Sequence, residues 1–125
     1  MKVVEIGGKK IVNLTPHPTV VFSPSGEKIA EIPPSGVVAR VFQQEVSAGT
    51  LGSIPLVRVK YGEVEGLPAL ESVDYIIVST LVAPILAGRP EWEGRILVPN
   101  SGPTPWGAVR DEKGQIVGVK SLIIY

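Results

Sequence analysis

The fold is decided by residues 75–87, which read YIIVSTLVAPILA. The first four of these residues are apolar and mostly β-branched, which is typical of a strand buried on both faces. Pro84 lies in the apolar part that follows, and proline is tolerated in the first turn of a helix but not in its interior. Gly88 supplies a stop signal. The stretch therefore predicts a central strand, a turn, and a short helix over about residues 80–87.

Short β-type runs separated by turns lie on both sides of this stretch. They occupy residues 3–6, 11–14, 20–22, 29–32, 37–42, 56–61, 95–98, 106–110 and 116–125. Glycine- and proline-rich turns between them predict hairpins, and residues 48–53 are expected to form a loop. Apolar and basic residues alternate over residues 56–61, which predicts a half-buried strand with a basic face. The sequence as a whole predicts a single α+β domain, residues 1–125, of mostly antiparallel strands and hairpins with one short helix packed on the sheet.

Composition narrows the function classes. The chain has 125 residues, with 12 Lys and Arg, 12 Asp and Glu, one His and no Cys. The formal net charge is +0, so the chain lacks the positive field of a protein that binds duplex nucleic acid, and we do not expect it to be one. The absence of cysteine excludes thiolate catalysis, disulfides and cysteine-ligated zinc. No apolar run reaches the ~18 residues of a membrane span, and no signal peptide opens the chain, so we expect a soluble, cytoplasmic protein.

Four short motifs occur in order along the chain. They are NLTPH at residues 13–17, IPPSG at 32–36, YIIVS at 75–79 and RD at 110–111. With their spacing, these motifs resemble a family of small bacterial, phage and prophage proteins that begin with an NLTPH segment. The resemblance spans nearly the whole chain. It implies a phage or mobile-element setting in the host cytoplasm, where small proteins bind a host protein or a nucleotide signal, or form part of a particle.

Ser79 and Thr80 stand between the predicted strand and the predicted helix. Unpaired backbone N–H groups at a helix start attract anions, and two hydroxyls would add hydrogen-bond donors. The alternative is that one of them only caps the helix, which stabilises it by about 1 kcal/mol. No phosphate-binding glycine loop of the NTPase or dinucleotide type accompanies them. The pair is therefore a candidate either for anion binding or for capping.

His17 is the only histidine, and it lies between Pro16 and Pro18. Two prolines stiffen the backbone, which suits an imidazole that must be aimed at a ligand or act as a general base. The alternative is a structural histidine that hydrogen-bonds a carbonyl group. One histidine without cysteine, and acids in no recognised ligand spacing, predict no metal site.

Residues 99–105 form a proline-stiffened polar loop that ends next to Trp106. Asn100 and Ser101 offer an amide and a hydroxyl, and the indole offers a surface on which a base or a sugar can stack. A preordered loop loses little entropy when it binds a ligand. The alternative is a surface crossover whose tryptophan packs on the core.

Arg40, Arg95 and Arg110 each lie in or at the end of an apolar strand. A guanidinium in such a place reaches solvent, pairs with an acid or contacts an anionic ligand. If all three lay beside the polar loop and the helix start, they would form a phosphate pocket with Arg58 and Lys60 in support. The hypothesis assumes that these residues lie close together in space.

Three functions remain open at this point. The preferred one is binding, without turnover, of a small phosphorylated or nucleotide-like ligand, which would sequester a host signal. The second is a structural or host-protein-interaction module, such as a particle component or an inhibitor, without a ligand. The third is a small hydrolase that uses His17. No cofactor is expected in any of them. A mean hydropathy of +0.28 and the apolar end at residues 122–125 also predict a homo-oligomer.

Overall fold

The computed structural model describes residues 1–125 and contains eleven strands, one α-helix and two 3-10 turns. The strands are β1 (Val4–Ile6), β2 (Lys9–Asn13), β3 (Thr19–Phe22), β4 (Lys28–Ile32), β5 (Arg40–Leu51), β6 (Ile54–Glu65), β7 (Tyr75–Ile77), β8 (Ile96–Pro99), β9 (Ala108–Arg110), β10 (Ile116–Val119) and β11 (Leu122–Ile124). The helix α1 is Val82–Ala87, and the 3-10 turns are Leu70–Ser72 and Pro90–Trp92.

A five-stranded sheet in the order β1-β2-β7-β8-β11 forms the centre of the molecule. The three middle strands β2, β7 and β8 are parallel, and the two edge strands are antiparallel to their neighbours. Side chains on one face of this sheet pack against α1, where Ile76 and Val98 of the sheet cluster with Leu86 of the helix. On the other face, Ile77 packs with Ile32 of β4. Burial on both faces explains why the sequence of β7 is apolar without alternation.

A second sheet of four strands, in the order β4-β3-β10-β9, packs beside the first. Its β3 and β10 are parallel, and its other pairs are antiparallel. The chain leaves this sheet after Val119 and enters the central sheet at Leu122. The sequence predicts one final strand over residues 116–125, but Lys120 and Ser121 divide it, so that β10 and β11 belong to different sheets.

The third sheet is a hairpin of β5 and β6 alone, and each strand has 12 residues. The loop predicted at residues 48–53 is wrong, because β5 continues to Leu51 and only Gly52 and Ser53 form the turn. Gly52 has φ +61°, which fits the first central position of a tight hairpin turn. The half-buried strand predicted at residues 56–61 is a strand, but all of its residues are exposed. We call this hairpin, Arg40–Glu65, the arm.

The α+β class with one short helix is confirmed by these elements. Five strand pairs are antiparallel and three are parallel, so antiparallel pairing dominates as the sequence predicts, and the three parallel pairs are an addition to that prediction. The helix predicted at about residues 80–87 begins at Val82. No helix in the structure has the length and apolar character needed to cross a bilayer.

Close approach of β3 and β10 requires glycine at position 118. A Cβ atom added there would lie 2.5 Å from Cε2 of Phe22 and 2.7 Å from the carbonyl oxygen of Val20. We expect Gly118→Ala to lower the free energy of unfolding by about 1–3 kcal/mol, because the strands must move apart. Urea denaturation measures the change. Gly88→Ala is the control, since its new Cβ would have no neighbour closer than 3.6 Å; equal losses in the two variants would contradict the prediction.

Candidate functional site

Three loops meet at one end of the central sheet. They follow the carboxyl ends of the parallel strands β2, β7 and β8, which is where open sheets with parallel strands place their ligands. Between them lies a cleft of ≈ 320 Å³. A second depression of ≈ 240 Å³ shares five of its lining residues and extends the cleft toward β3 and β10. The shared residues are His17, Pro18, Thr19, Pro99 and Ser101.

The loop that carries His17 is held by the side chain of Asn13, which is completely buried at the end of β2. Its Nδ2 group donates to the carbonyl oxygens of His17, at 2.8 Å, and of Ile32, at 3.0 Å. Its Oδ1 atom accepts from the backbone N–H of Thr15 and from the hydroxyl of the same residue. The imidazole itself is exposed and makes no hydrogen bond within the chain. The proline-flanked loop thus fixes its backbone and leaves the ring free.

Ser79 and Thr80 line the cleft in front of α1. The oxygen of Ser79 accepts the backbone N–H of Val82 at 3.3 Å, so the capping contact exists for Ser79, and its own O–H proton stays free. Thr80 makes no such contact. The helix has only six residues, and so short a helix carries little dipole, which weakens the anion-binding argument made from sequence. What remains is two hydroxyl groups facing the cleft.

Thr19 is a cleft residue that the sequence analysis missed. It is 4% exposed, lines both parts of the cleft, and its hydroxyl makes no hydrogen bond within the chain. No fully enclosed side-chain polar atom in the structure lacks a partner, so this hydroxyl must be open to the cleft. The only sequence signal was a polar residue at the start of the apolar run Val20–Phe22, directly after Pro18.

Ser101 also lines the cleft, whereas its neighbour Asn100 is engaged in holding its own loop. The amide of Asn100 donates to the hydroxyl of Ser121 at 3.1 Å and to the carbonyl oxygen of Trp106 at 3.3 Å. The indole of Trp106 is 61% exposed and is not part of the cleft lining. The polar loop therefore contributes one of its three candidate side chains to the cleft.

The three arginines are placed apart from the cleft and from one another. Arg40 is exposed at the base of the arm, opposite Glu65. Arg110 lies in the β9–β10 hairpin, where its guanidinium donates to the carbonyl oxygen of Gly114 at 2.6 Å. Neither lines the cleft. The proximity that the phosphate-pocket hypothesis assumed is not what the structure has.

Arg95 lies at the other end of the central sheet, before β8 begins. Its guanidinium donates to the carbonyl oxygens of Leu70, Val73 and Asp74, and it lies 5.1 Å from the ring centroid of Trp92. Through these contacts the guanidinium holds both 3-10 turns next to the start of β8. Arg95, predicted as a ligand-binding residue, therefore lies at the opposite end of the central sheet from the cleft.

The cleft lining contains no lysine, arginine or carboxylate side chain. No group of three or more histidine, cysteine or acidic side chains comes together anywhere in the structure. The cleft offers four hydroxyl groups without an acceptor, those of Thr19, Ser79, Thr80 and Ser101, together with one imidazole. Such a set donates hydrogen bonds and supplies little charge.

Comparisons with known protein families, with curated proteins and with solved structures found no match to this chain.

Proposed function

We propose that this protein binds a small, polar, nucleotide-like ligand in the cleft between His17, Thr19, Ser79 and Ser101. The observation that carries the proposal is the hydroxyl of Thr19, which belongs to a residue only 4% exposed, has no hydrogen-bond partner within the chain and opens to the cleft. The rest of this side chain is packed, so the hydroxyl is held in place as a free donor. A ligand in the cleft can accept its hydrogen bond.

The geometry limits the ligand's chemistry. A volume of ≈ 320 Å³ is at the small end of small-molecule sites. The donors are hydroxyl groups and one imidazole, because no lysine or arginine lines the cleft. We infer that the ligand has several hydrogen-bond acceptors and at most one phosphate, so that a nucleoside or its monophosphate fits better than a di- or triphosphate. The phage setting remains part of the proposal and rests on the motif resemblance alone.

Binding without turnover fits this geometry better than hydrolysis. A serine nucleophile needs an imidazole within hydrogen-bond reach and a third group that orients the imidazole. Here no hydrogen bond joins His17 to Ser79 or to Ser101, and no carboxylate lines the cleft. The hydroxyls are instead spread over three loops around the opening, as an arrangement for holding a ligand requires.

Thr19→Val tests the proposal, because it replaces the free hydroxyl by a methyl group of similar size. We expect the free energy of unfolding to stay unchanged or to rise by up to about 1 kcal/mol, since no hydrogen bond within the chain is lost. Ligand affinity should fall by about tenfold or more, since one donor is removed from the cleft. Urea denaturation measures the free energy of unfolding. Native mass spectrometry detects a bound ligand, and calorimetric titration with nucleosides and nucleoside 5′-monophosphates measures the affinity.

Thr15→Val is the matched control for stability. The hydroxyl of Thr15 donates to Asn13 and to the carbonyl oxygen of His17, so this variant should lose about 1 kcal/mol. Native mass spectrometry of the wild-type chain should also show a co-purified small molecule that Thr19→Val lacks. The proposal fails if the wild-type chain carries no such molecule and binds none of the nucleosides and monophosphates, or if Thr19→Val binds as the wild type does.

A further inference from the structure

The arm extends away from the rest of the molecule. Between Phe42 and Glu63 only Val46 is partly covered, and every other residue is exposed. β5 and β6 make extensive contact only with each other. A 12-residue strand is about 40 Å long. Since an isolated two-stranded hairpin is marginally stable at best in water, an arm of this length needs a covering surface.

Register assigns the arm two different faces. Gln43, Glu45 and Ser47 are directly opposite Tyr61, Val59 and Val57, and paired residues of an antiparallel ladder point to the same side. Among these six register-paired residues, which we call the acidic face, Glu45 carries the only charge, and the apolar side chains of Val57, Val59 and Tyr61 are 42–53% exposed. The acidic face consists of Gln43, Glu45, Ser47, Val57, Val59 and Tyr61.

The opposite side, which we call the basic face, carries the two cations of the arm's outer part. Gln44 lies opposite Lys60, and Val46 opposite Arg58. Leu56 and Phe42, which are 41% and 64% exposed, point to the same side by strand alternation. Neither cation forms an ion pair within the chain, whose one ion pair joins Lys28 to Glu31. The basic face is therefore apolar with two unpaired positive charges.

The exposed surface of the whole chain is too large for a compact monomer. The accessible surface is 7937 Å², whereas a monomer of 13.3 kDa is expected to expose about 6,450 Å². The excess is about 1,500 Å², and a stable interface of standard size removes about 800 Å² from each partner. The arm is where this excess lies, because its 12-residue strands leave both faces open. Its surface is sufficient for two interfaces per chain.

We propose that the arm is a self-assembly element, and that the acidic face of one copy packs on the basic face of the arm of a second copy. The two faces complement each other, since each is apolar and the carboxylate of Glu45 meets Arg58 and Lys60 of the neighbour. Packing of two basic faces together would instead oppose four cations. Because the two contacting faces differ, the contact is head-to-tail and builds a ring or a filament rather than a two-fold dimer. This inference is independent of the cleft and its ligand.

Charge reversal on the full-length chain tests the pairing of the faces. Wild-type protein should have a mass of several times 13.3 kDa in sedimentation velocity and light scattering. Glu45→Lys alone, and Arg58→Glu with Lys60→Glu, should each weaken association by about tenfold or more, because like charges then face each other. All three reversals together should restore association, since the faces again carry opposite charges. Ile29→Lys is the control, because this side chain is 63% exposed but lies on β4.

The triple variant also separates loss of assembly from loss of fold. The substituted side chains are exposed, so circular dichroism should show the same strand content for all variants. Restored association in the triple variant, with Ile29→Lys unchanged, is the result that supports the proposal. A wild-type chain that stays monomeric at high concentration overturns it, which would leave a different protein as the partner of the arm. A triple variant that associates no better than Glu45→Lys or than Arg58→Glu with Lys60→Glu overturns the face-to-face pairing.

Discussion

Asn13→Ala is expected to destabilise the protein by about 3 kcal/mol and to lower the melting temperature by roughly 10 °C. The reason is that Asn13 is 0% exposed and makes four side-chain hydrogen bonds. Alanine would leave the carbonyl oxygen of Ile32 buried without its amide donor, and the penalty for such an unsatisfied group is larger than the net gain of the bond itself. Chemical denaturation followed by circular dichroism measures the change.

Asn13→Asp sharpens the prediction because its shape is almost unchanged. A carboxylate only accepts hydrogen bonds, so the two groups that now accept from Nδ2, the carbonyl oxygens of His17 and Ile32, would face a negative oxygen. Burial of an unpaired charge is costly, so we expect Asn13→Asp to be less stable than Asn13→Ala at neutral pH. An equal or higher stability of the aspartate variant would contradict the assigned donor directions.

Asn100→Ala is the matched control for Asn13→Ala. Asn100 also holds a loop through its amide, with bonds to Ser121, Trp106 and the backbone N–H of Gly102. Its side chain is only partly buried, so water can replace these partners, and the expected loss is about 1 kcal/mol. If both alanine variants lost the same stability, burial would not be what makes the Asn13 network important. Ligand affinity should fall in both variants and further in Asn13→Ala, because the Asn13 network holds the His17 loop, whereas the Asn100 bonds that hold the Ser101 loop can be replaced by water.

The sequence predicts the central part of the fold well because the signal there is local. A run of four apolar residues before Ser79 indicates a buried strand whatever its neighbours are. Gly7 and Gly8, with φ +59° and +77°, form the turn that joins β1 to β2, as the glycine pair predicts. Parallel pairing has no such local signature, because β2 and β7 are joined through more than sixty intervening residues.

The arm was predicted only in part because alternation does not report burial. Apolar and basic residues alternate over 56–61, which places them on two faces of a strand. Whether a core covers the apolar face depends on the rest of the chain, and here nothing does. Gly49, with φ +99°, lies at a β-bulge inside β5 and not in the loop that the sequence predicts at residues 48–53. The tight-turn signal was the pair Gly52-Ser53.

The sequence predicts those cleft residues that directly follow the ends of strands. It does not predict the cleft residue whose position depends on how the two sheets pack. His17, Ser79, Thr80 and Ser101 converge on one cleft, because each follows one of three neighbouring parallel strands. Thr19 comes to line the cleft only through the packing of the second sheet beside the first. The phosphate-pocket hypothesis groups Arg40, Arg95 and Arg110 because each lies in or at the end of an apolar strand. The sequence does not show at which end of a sheet each side chain lies, so it does not show that the three lie apart.

Arg95→Ala is expected to lower the free energy of unfolding by about 2–4 kcal/mol, while ligand affinity stays unchanged. The guanidinium donates to three carbonyl oxygens before β7 and lies over Trp92. These groups lie at the amino-terminal ends of β7 and β8, whereas the cleft lies at their carboxyl ends. Urea denaturation measures the stability, and titration with the ligand of the wild-type cleft measures the affinity. A loss of affinity larger than the loss caused by Asn100→Ala would contradict the assigned position.

Arg95→Lys separates charge from geometry. Lysine keeps the positive charge but lacks the planar fork that reaches several carbonyl oxygens at once, and its ammonium stacks less well on an indole. We therefore expect this variant to lose more than half of the stability that Arg95→Ala loses. Arg110→Ala should lose less than about 1 kcal/mol, because its guanidinium makes one hydrogen bond on an exposed hairpin. Full stability in Arg95→Lys would mean that a positive charge near these carbonyl oxygens suffices, and that the fork contributes nothing.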